Sequence, residues 1–157
     1  CLVGSEMCIR DSDDILRYCS DNFDGIVEVN SWGERGIFYN PGGVLKRGVY
    51  VLTVKEKDGE NDRMSILDHE SVWRLDIGVR KQTFRTLFGE LPKRPCKNGF
   101  VDLPYDFAAM YVIMPHPVYA WMGWICVLNP SETTFEQLRP LMLESNEYAK
   151  EKFSKRK

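Results

Sequence analysis

Apolar and polar positions follow two rhythms along this chain, and each change of rhythm marks an element. Over Asp13–Phe23, Ile15, Leu16, Cys19 and Phe23 recur at helical spacing, with Ser12, Asp13 and Asp14 at the positive end of the helix dipole. Asp24-Gly25 stops that helix. Alternation then predicts a strand through Ile26, Val27 and Val29 and a second at Gly36–Tyr39, joined by a hairpin turn from Ser31 to Gly36. Gly48–Lys57 is the clearest strand: Val49, Val51 and Thr53 alternate with Tyr50, Leu52 and Val54, so both faces are expected to be covered. A polar loop, Asp58–Glu70, leads to a strand at Val72–Val79.

Lys81–Phe88 reads as a short amphipathic helix with Phe84, Leu87 and Phe88 inward and Gly89 as its stop. Glu90–Pro104 carries three prolines and reads as a loop, and Tyr105–Ile113 is expected to hold a helical turn or two. Pro115 and Pro117 keep Met114–Val118 extended. Val118–Trp121 and Trp124–Leu128 predict two further strands about Gly123. Thr133-Thr134-Phe135-Glu136 has the spacing of a capping box, opening a last helix whose apolar face runs from Phe135 to Phe153. Pro140 must kink that helix or divide it, because it donates no backbone hydrogen bond. The economical arrangement is an α+β fold of two layers. An antiparallel sheet carries the helices on one face, in the approximate order α-β3(4)-α-β2-α.

At 157 residues the chain has the size of one domain able to bury a core without staples. No apolar run approaches the roughly 20 residues that span a bilayer, so no membrane partner is expected. Residues Cys1–Ser12 change the accounting. Their first eleven residues resemble the codon-by-codon translation of a transposase adapter used in sequencing libraries, so they are read as a non-native scar ahead of one α+β domain over 13–157. Setting them aside leaves Cys19, Cys96 and Cys126, scattered and odd in number, which predicts a reducing, cytoplasmic setting. Removing Glu6, Arg10 and Asp11 from 21 basic and 23 acidic residues leaves 20 and 21, and that balance exerts no global pull on nucleic acid.

Several runs resemble a bacterial family, domain-of-unknown-function family 6194. They are Phe38-Tyr39-Asn40-Pro41, Trp73–Val79, Thr83–Gly89, and above all Met114-Pro115-His116-Pro117-Val118-Tyr119 followed by Gly123–Ser131. The C-terminal stretch is more distantly similar to the MmcQ/YjbR group, which is also likened to type III secretion chaperones. That resemblance implies an α-β3-α-β2-α fold and, by analogy of fold alone, DNA binding. The loop Glu90–Pro104 has no obvious counterpart in those shorter relatives.

Candidate chemistry is sparse. With His69 and His116 as the two histidines and no close ligand spacing, zinc is not expected. An EF-hand loop counted from Asp58 would put Arg63 where glycine belongs and His69 where glutamate belongs, so calcium is not expected either. No phosphate loop, dinucleotide fingerprint or nucleophile elbow is present, and no cofactor is expected. His116, held between two prolines, is either a ligand contact or base, or a structural histidine bonded to backbone, and the second reading is favoured. Arg74 and Asp76 share a strand face. They form an exposed ion-pair ladder, or else bind an anion or amine in a groove. Lys57, Asp62, Arg63 and Ser65 are candidates for a polar site on the loop, beside the favoured reading of a solvated turn. Trp32, Trp73, Trp121, Trp124, Tyr39, Tyr50, Tyr105 and Tyr119 are expected mostly to pack, an exposed subset forming a stacking surface, with Tyr119 and Trp124 the candidates near His116. The basic tail Lys150–Lys157 reads as a frayed terminus, and Cys126 as an inert core thiol.

Three functions follow. First stands a non-catalytic module binding a small molecule or protein at the sheet or at His116. A nucleic-acid-binding domain comes second, and an enzyme pairing His116 with Asp76 or Asp106 third.

Overall fold

The computed structural model describes residues 12–31, 34–56, 65, 67, 72–97 and 99–156. The proposed adapter residues up to Asp11, the Trp32-Gly33 turn, and Lys57, Asp62 and His69 lie outside them. The chain runs α1 (Ser12–Asn22), β1 (Ile26–Ser31), β2 (Glu34–Tyr39), β3 (Val49–Lys55), β4 (Arg74–Gly78), α2 (Lys81–Phe88), β5 (Met114–Pro115), β6 (Trp124–Leu128) and α3 (Glu132–Arg156). Ser12, set aside above with the leader, is thus the first residue of α1. All strand pairs are antiparallel, in the order β1-β2-β3-β4-β6-β5, and four strands, the larger of the two numbers expected, separate α1 from α2.

Register assigns each side chain to a face. Leu52, Ile77 and Ile125 stand in one row across β3, β4 and β6, and Val54, Leu75 and Val127 in the next; all six are buried. Helix α3 packs on this side through Leu138, Met142, Ala149 and Phe153, the last meeting Tyr39 edge to face at 5.2 Å. Tyr18 of α1 meets Phe135 of α3 in the same geometry. Arg35, from β2, holds α1 by its N-terminus through Asp13 and Ser12 and also pairs with Glu56 at 2.9 Å.

The opposite face is shaped by a bulge and two glycines. Pairing of β2 with β3 shifts between Ile37 and Phe38, so Ile37 faces Leu52 but Phe38 faces Tyr50. Val51 is the extra residue, and its carbonyl accepts the Ser145 hydroxyl of α3 at 2.5 Å. Strict alternation would have put Tyr50 and Thr53 on opposite faces; the bulge brings both onto the open one. Gly36 and Gly78 lie under the rings of Phe38 and Trp124. A Cβ at Gly36 would come within 2.7 Å of the Phe38 ring, and one at Gly78 within 2.9 Å of the Trp124 ring.

Four local expectations are corrected. Val118–Trp121 is no strand: the chain turns there and forms a short 3-10 helix, Ala120–Met122, while the edge strand lies earlier, at Met114–Pro115. Tyr105–Ile113 forms no helix. Asp106 caps a single turn by accepting the Ala108 N–H at 3.0 Å, and Met110 then bridges Leu128. The cap of α3 is Ser131, whose hydroxyl oxygen accepts the N–H of Thr134, two residues earlier than the capping box. Pro140 does not divide the last helix: it lies exposed inside one continuous helix. The N-terminus of α2 is capped from another element, with the Glu144 carboxylate accepting the Arg80 N–H at 3.1 Å and the Thr83 hydroxyl at 2.7 Å.

Cys19 is fully buried, and burial pushes its thiol up to about 12, leaving it unreactive. Among the described residues no helix is long and apolar enough to cross a membrane.

Gly78→Ala is expected to destabilise the fold by about 1–3 kcal/mol in urea denaturation, the range for forcing volume into a packed site. Shortening the ring in Gly78→Ala/Trp124→Leu should recover much of that loss. Strictly additive effects of the two changes would show that Gly78 does not serve to seat Trp124.

Candidate functional site

On the open face, the row after Thr53 is polar, although it lies inside the sheet. Thr53 pairs across to Asp76, and Lys55 to Arg74. Arg74 is completely buried and Asp76 nearly so. Two residues apart on one strand, they share a face. The guanidinium folds back along it, with Nε donating to Asp76 Oδ1 at 2.6 Å and a terminal nitrogen to Oδ2 at 3.2 Å. Its other terminal nitrogen donates to the Ser65 hydroxyl at 3.0 Å, and the Thr53 hydroxyl donates to Asp76 Oδ2 at 3.1 Å. The exposed ladder considered from sequence is therefore a buried fork. Its lone pairs and protons are spent inside the network.

His116 closes the network from the turn after β5. Its Nδ1 accepts two backbone N–H groups, those of Val118 at 3.0 Å and Tyr119 at 3.1 Å. An acceptor nitrogen carries no proton, so the neutral ring's hydrogen sits on Nε2. Nε2 faces Asp76 Oδ2 at 3.6 Å and lies 3.1 Å from an Arg74 nitrogen, two donors converging on one carboxylate. The same two backbone bonds turn the chain at Pro117, which is why no strand follows. Burial by itself pushes the Asp76 carboxyl up. The Arg74 charge, His116 and the hydrogen bonds from both outweigh it and hold the group at about 2.

A cleft of about 270 Å³ opens above this network. It is lined by the buried Asp76 and His116, by Trp124, and by the half-exposed Tyr50, Tyr119 and Met122. The Tyr50 and Trp124 rings stand edge to face at 6.0 Å, and Tyr119 lies 5.1 Å from the imidazole. A second hollow of about 190 Å³, reaching Arg47 and Phe38, shares Glu34, Tyr50 and Thr53 with the first, so the two form one groove along the sheet. Lys55 lies beneath, almost fully buried, 3.8 Å from the Glu34 carboxylate.

Of the residues singled out from sequence, the structure brings His116, Tyr119, Trp124, Arg74, Asp76 and Ser65 together. Lys57, Asp62 and Arg63 lie outside the described residues. Asp106 is exposed and bonded within its own turn, so it does not supply the acid partner considered for His116. Sequence reasoning missed Thr53, Glu34 and Met122 and placed Tyr50 only among the sheet's aromatics. Cross-strand pairing with Asp76 would have found Thr53, but no pattern signalled Tyr50, because the bulge overrides its parity. Among the described residues no group of three or more His, Cys, Asp or Glu side chains could hold a metal ion.

Asp76 is charged in the fold down to about pH 2, against an ordinary value of 3.8. Its contribution to stability is thus complete above 3.8 and lost as pH falls through about 2. A carboxyl-carbon NMR titration should place its midpoint near 2, and a midpoint at or above 3.8 would contradict the buried fork. Arg74→Leu leaves a buried carboxylate unpaired and is expected to cost about 3–5 kcal/mol in chemical denaturation. Arg74→Leu/Asp76→Leu should cost clearly less than the two single changes summed.

No curated protein and no solved structure matches the chain. A family match covers residues 10–157, including the fork, the His116 turn and every residue of the cleft named above. The chain belongs to the family of unknown function DUF6194.

Proposed function

We propose that this domain is a non-catalytic binding module that takes a small molecule in the cleft above Asp76 and His116. One observation carries the reading: aromatic side chains remain half exposed around a concavity whose polar end is locked. Tyr50 is 43% and Tyr119 47% exposed, and the neighbouring Met122 46%. Concave, mainly apolar sites with a few fixed polar groups are where small ligands bind. The fork supports binding over catalysis, because a general base needs a lone pair directed at its substrate. The His116 lone pair is instead held by backbone, and the Asp76 oxygens by Arg74 and Thr53. A formal charge of −2 gives no support to nucleic acid as the ligand.

A metabolite screen by thermal shift tests the proposal. A compound that binds the folded chain should raise its melting temperature with increasing concentration. Tyr119→Ala, at an exposed site, should abolish that shift while leaving the unliganded melting temperature within a degree or two. Hits unaffected by Tyr119→Ala, or salt-sensitive DNA binding in place of metabolite binding, would overturn it.

A further inference from the structure

The charges and rings of the groove differ in what they have left to offer, and that difference selects a ligand class. Arg74 is sealed beneath the surface with its donors turned to Asp76 and Ser65. The Lys55 side chain is 8% exposed and sits under Glu34. Neither cation is among the described residues lining the cleft of about 270 Å³, whereas the acidic residues Asp76 and Glu34 both are. Asp76 is saturated. Glu34 is not: its one ion pair among the described residues is long, 3.8 Å to Lys55, and its side chain remains 35% exposed. An oxygen atom of Glu34 therefore keeps acceptor capacity toward the cleft, at the point where both hollows meet.

The walls add the same sign. Tyr50 and Trp124 meet edge to face, and Tyr119 stands across the cleft beside His116. Aromatic faces carry negative quadrupole potential and attract ammonium groups, most strongly where water is excluded. In the larger hollow an anion would meet Glu34 and the rings while the two buried cations stay out of reach; Arg47, the exposed cation of the groove among the described residues, lines the second hollow and not this one. A neutral ligand could donate at most an uncharged hydrogen bond to Glu34 and would forgo the attraction of the rings. Resting on the binding reading above, we infer that the ligand is a compact organic cation, with its ammonium group placed between Glu34 and the rings of Tyr50, Tyr119 and Trp124.

Isothermal titration calorimetry with choline, tetramethylammonium and the neutral isostere of choline, 3,3-dimethylbutan-1-ol, tests this on the full chain. At least one of the two ammonium compounds should bind, and choline should bind about tenfold or more tightly than its isostere. Glu34→Gln, which keeps the side chain's size, should weaken ammonium binding about tenfold and leave the isostere unchanged, with the far-ultraviolet circular dichroism and melting temperature retained. Equal binding of isostere and choline, both lost in Tyr119→Ala, would overturn the cation assignment and keep the cleft as a binding site. Ammonium binding that survives both Glu34→Gln and Tyr119→Ala would overturn both readings. Absence of any ammonium binding at millimolar concentration would overturn the cation assignment, while the metabolite screen decides separately on the cleft.

Discussion

Placing a guanidinium and a carboxylate inside a β-sheet removes water from both, at an effective penalty of several kcal/mol per ion. The Arg74–Asp76 fork exists because every other group around it is arranged to offset that penalty. Two residues on one strand share a face, so the fork forms along β4 with no loop to order. Thr53 supplies a further donor from β3, Ser65 takes one from the far side of the guanidinium, and His116 closes the edge. The consequences run outward. His116 can present its Nε2 proton to the network only because Nδ1 is held by the chain after Pro117. That grip bends the backbone away from β5 and sets Tyr119 over the cleft.

The floor beside the fork is built by subtraction. Gly78 faces Trp124 across β4 and β6, and Gly36 lies beneath the Phe38 ring, so two large rings lie low on the sheet. A third ring arrives by displacement. The bulge at Val51 moves Tyr50 to the face of Thr53, and Ser145 of α3 satisfies the carbonyl that the bulge leaves over. The helix layer thus stabilises a distortion whose effect is seen on the other side of the sheet.

Legibility in the sequence followed the range of the interaction. The helices at Asp13 and Lys81, the strand before Lys57 and the strand from Trp124 were readable because each element's apolar pattern is local, although Leu87, expected inward on the Lys81 helix, is exposed. The apolar pattern is silent where a side-chain hydrogen bond or a bulge sets the backbone, whether the partner is near or far. The turn after Met114–Pro115 is set by a side chain bonding backbone two and three residues on. The start of α2 is capped by Glu144, sixty-odd residues away, and the parity of Tyr50 is reversed by a bulge. His116, Arg74 and Asp76 were each identifiable as unusual. That they are mutual partners, rather than an exposed ladder beside a separate histidine, depended on β4 lying inside the sheet.

The sequence by itself determined the α+β class, the antiparallel strands and the family to which 10–157 belong, because periodicity, turn residues and motif spelling are written along the chain. It also determined that Arg74 and Asp76 face the same way. Only the tertiary structure decided that this face is buried, that Thr53 and His116 reach it, and that Glu34 keeps acceptor capacity toward a cleft walled by Tyr50, Tyr119 and Trp124. The physical reason is that burial and hydrogen-bond saturation belong to assembled layers. One strand shows which side chains point together, and the neighbouring strands decide whether water meets them there.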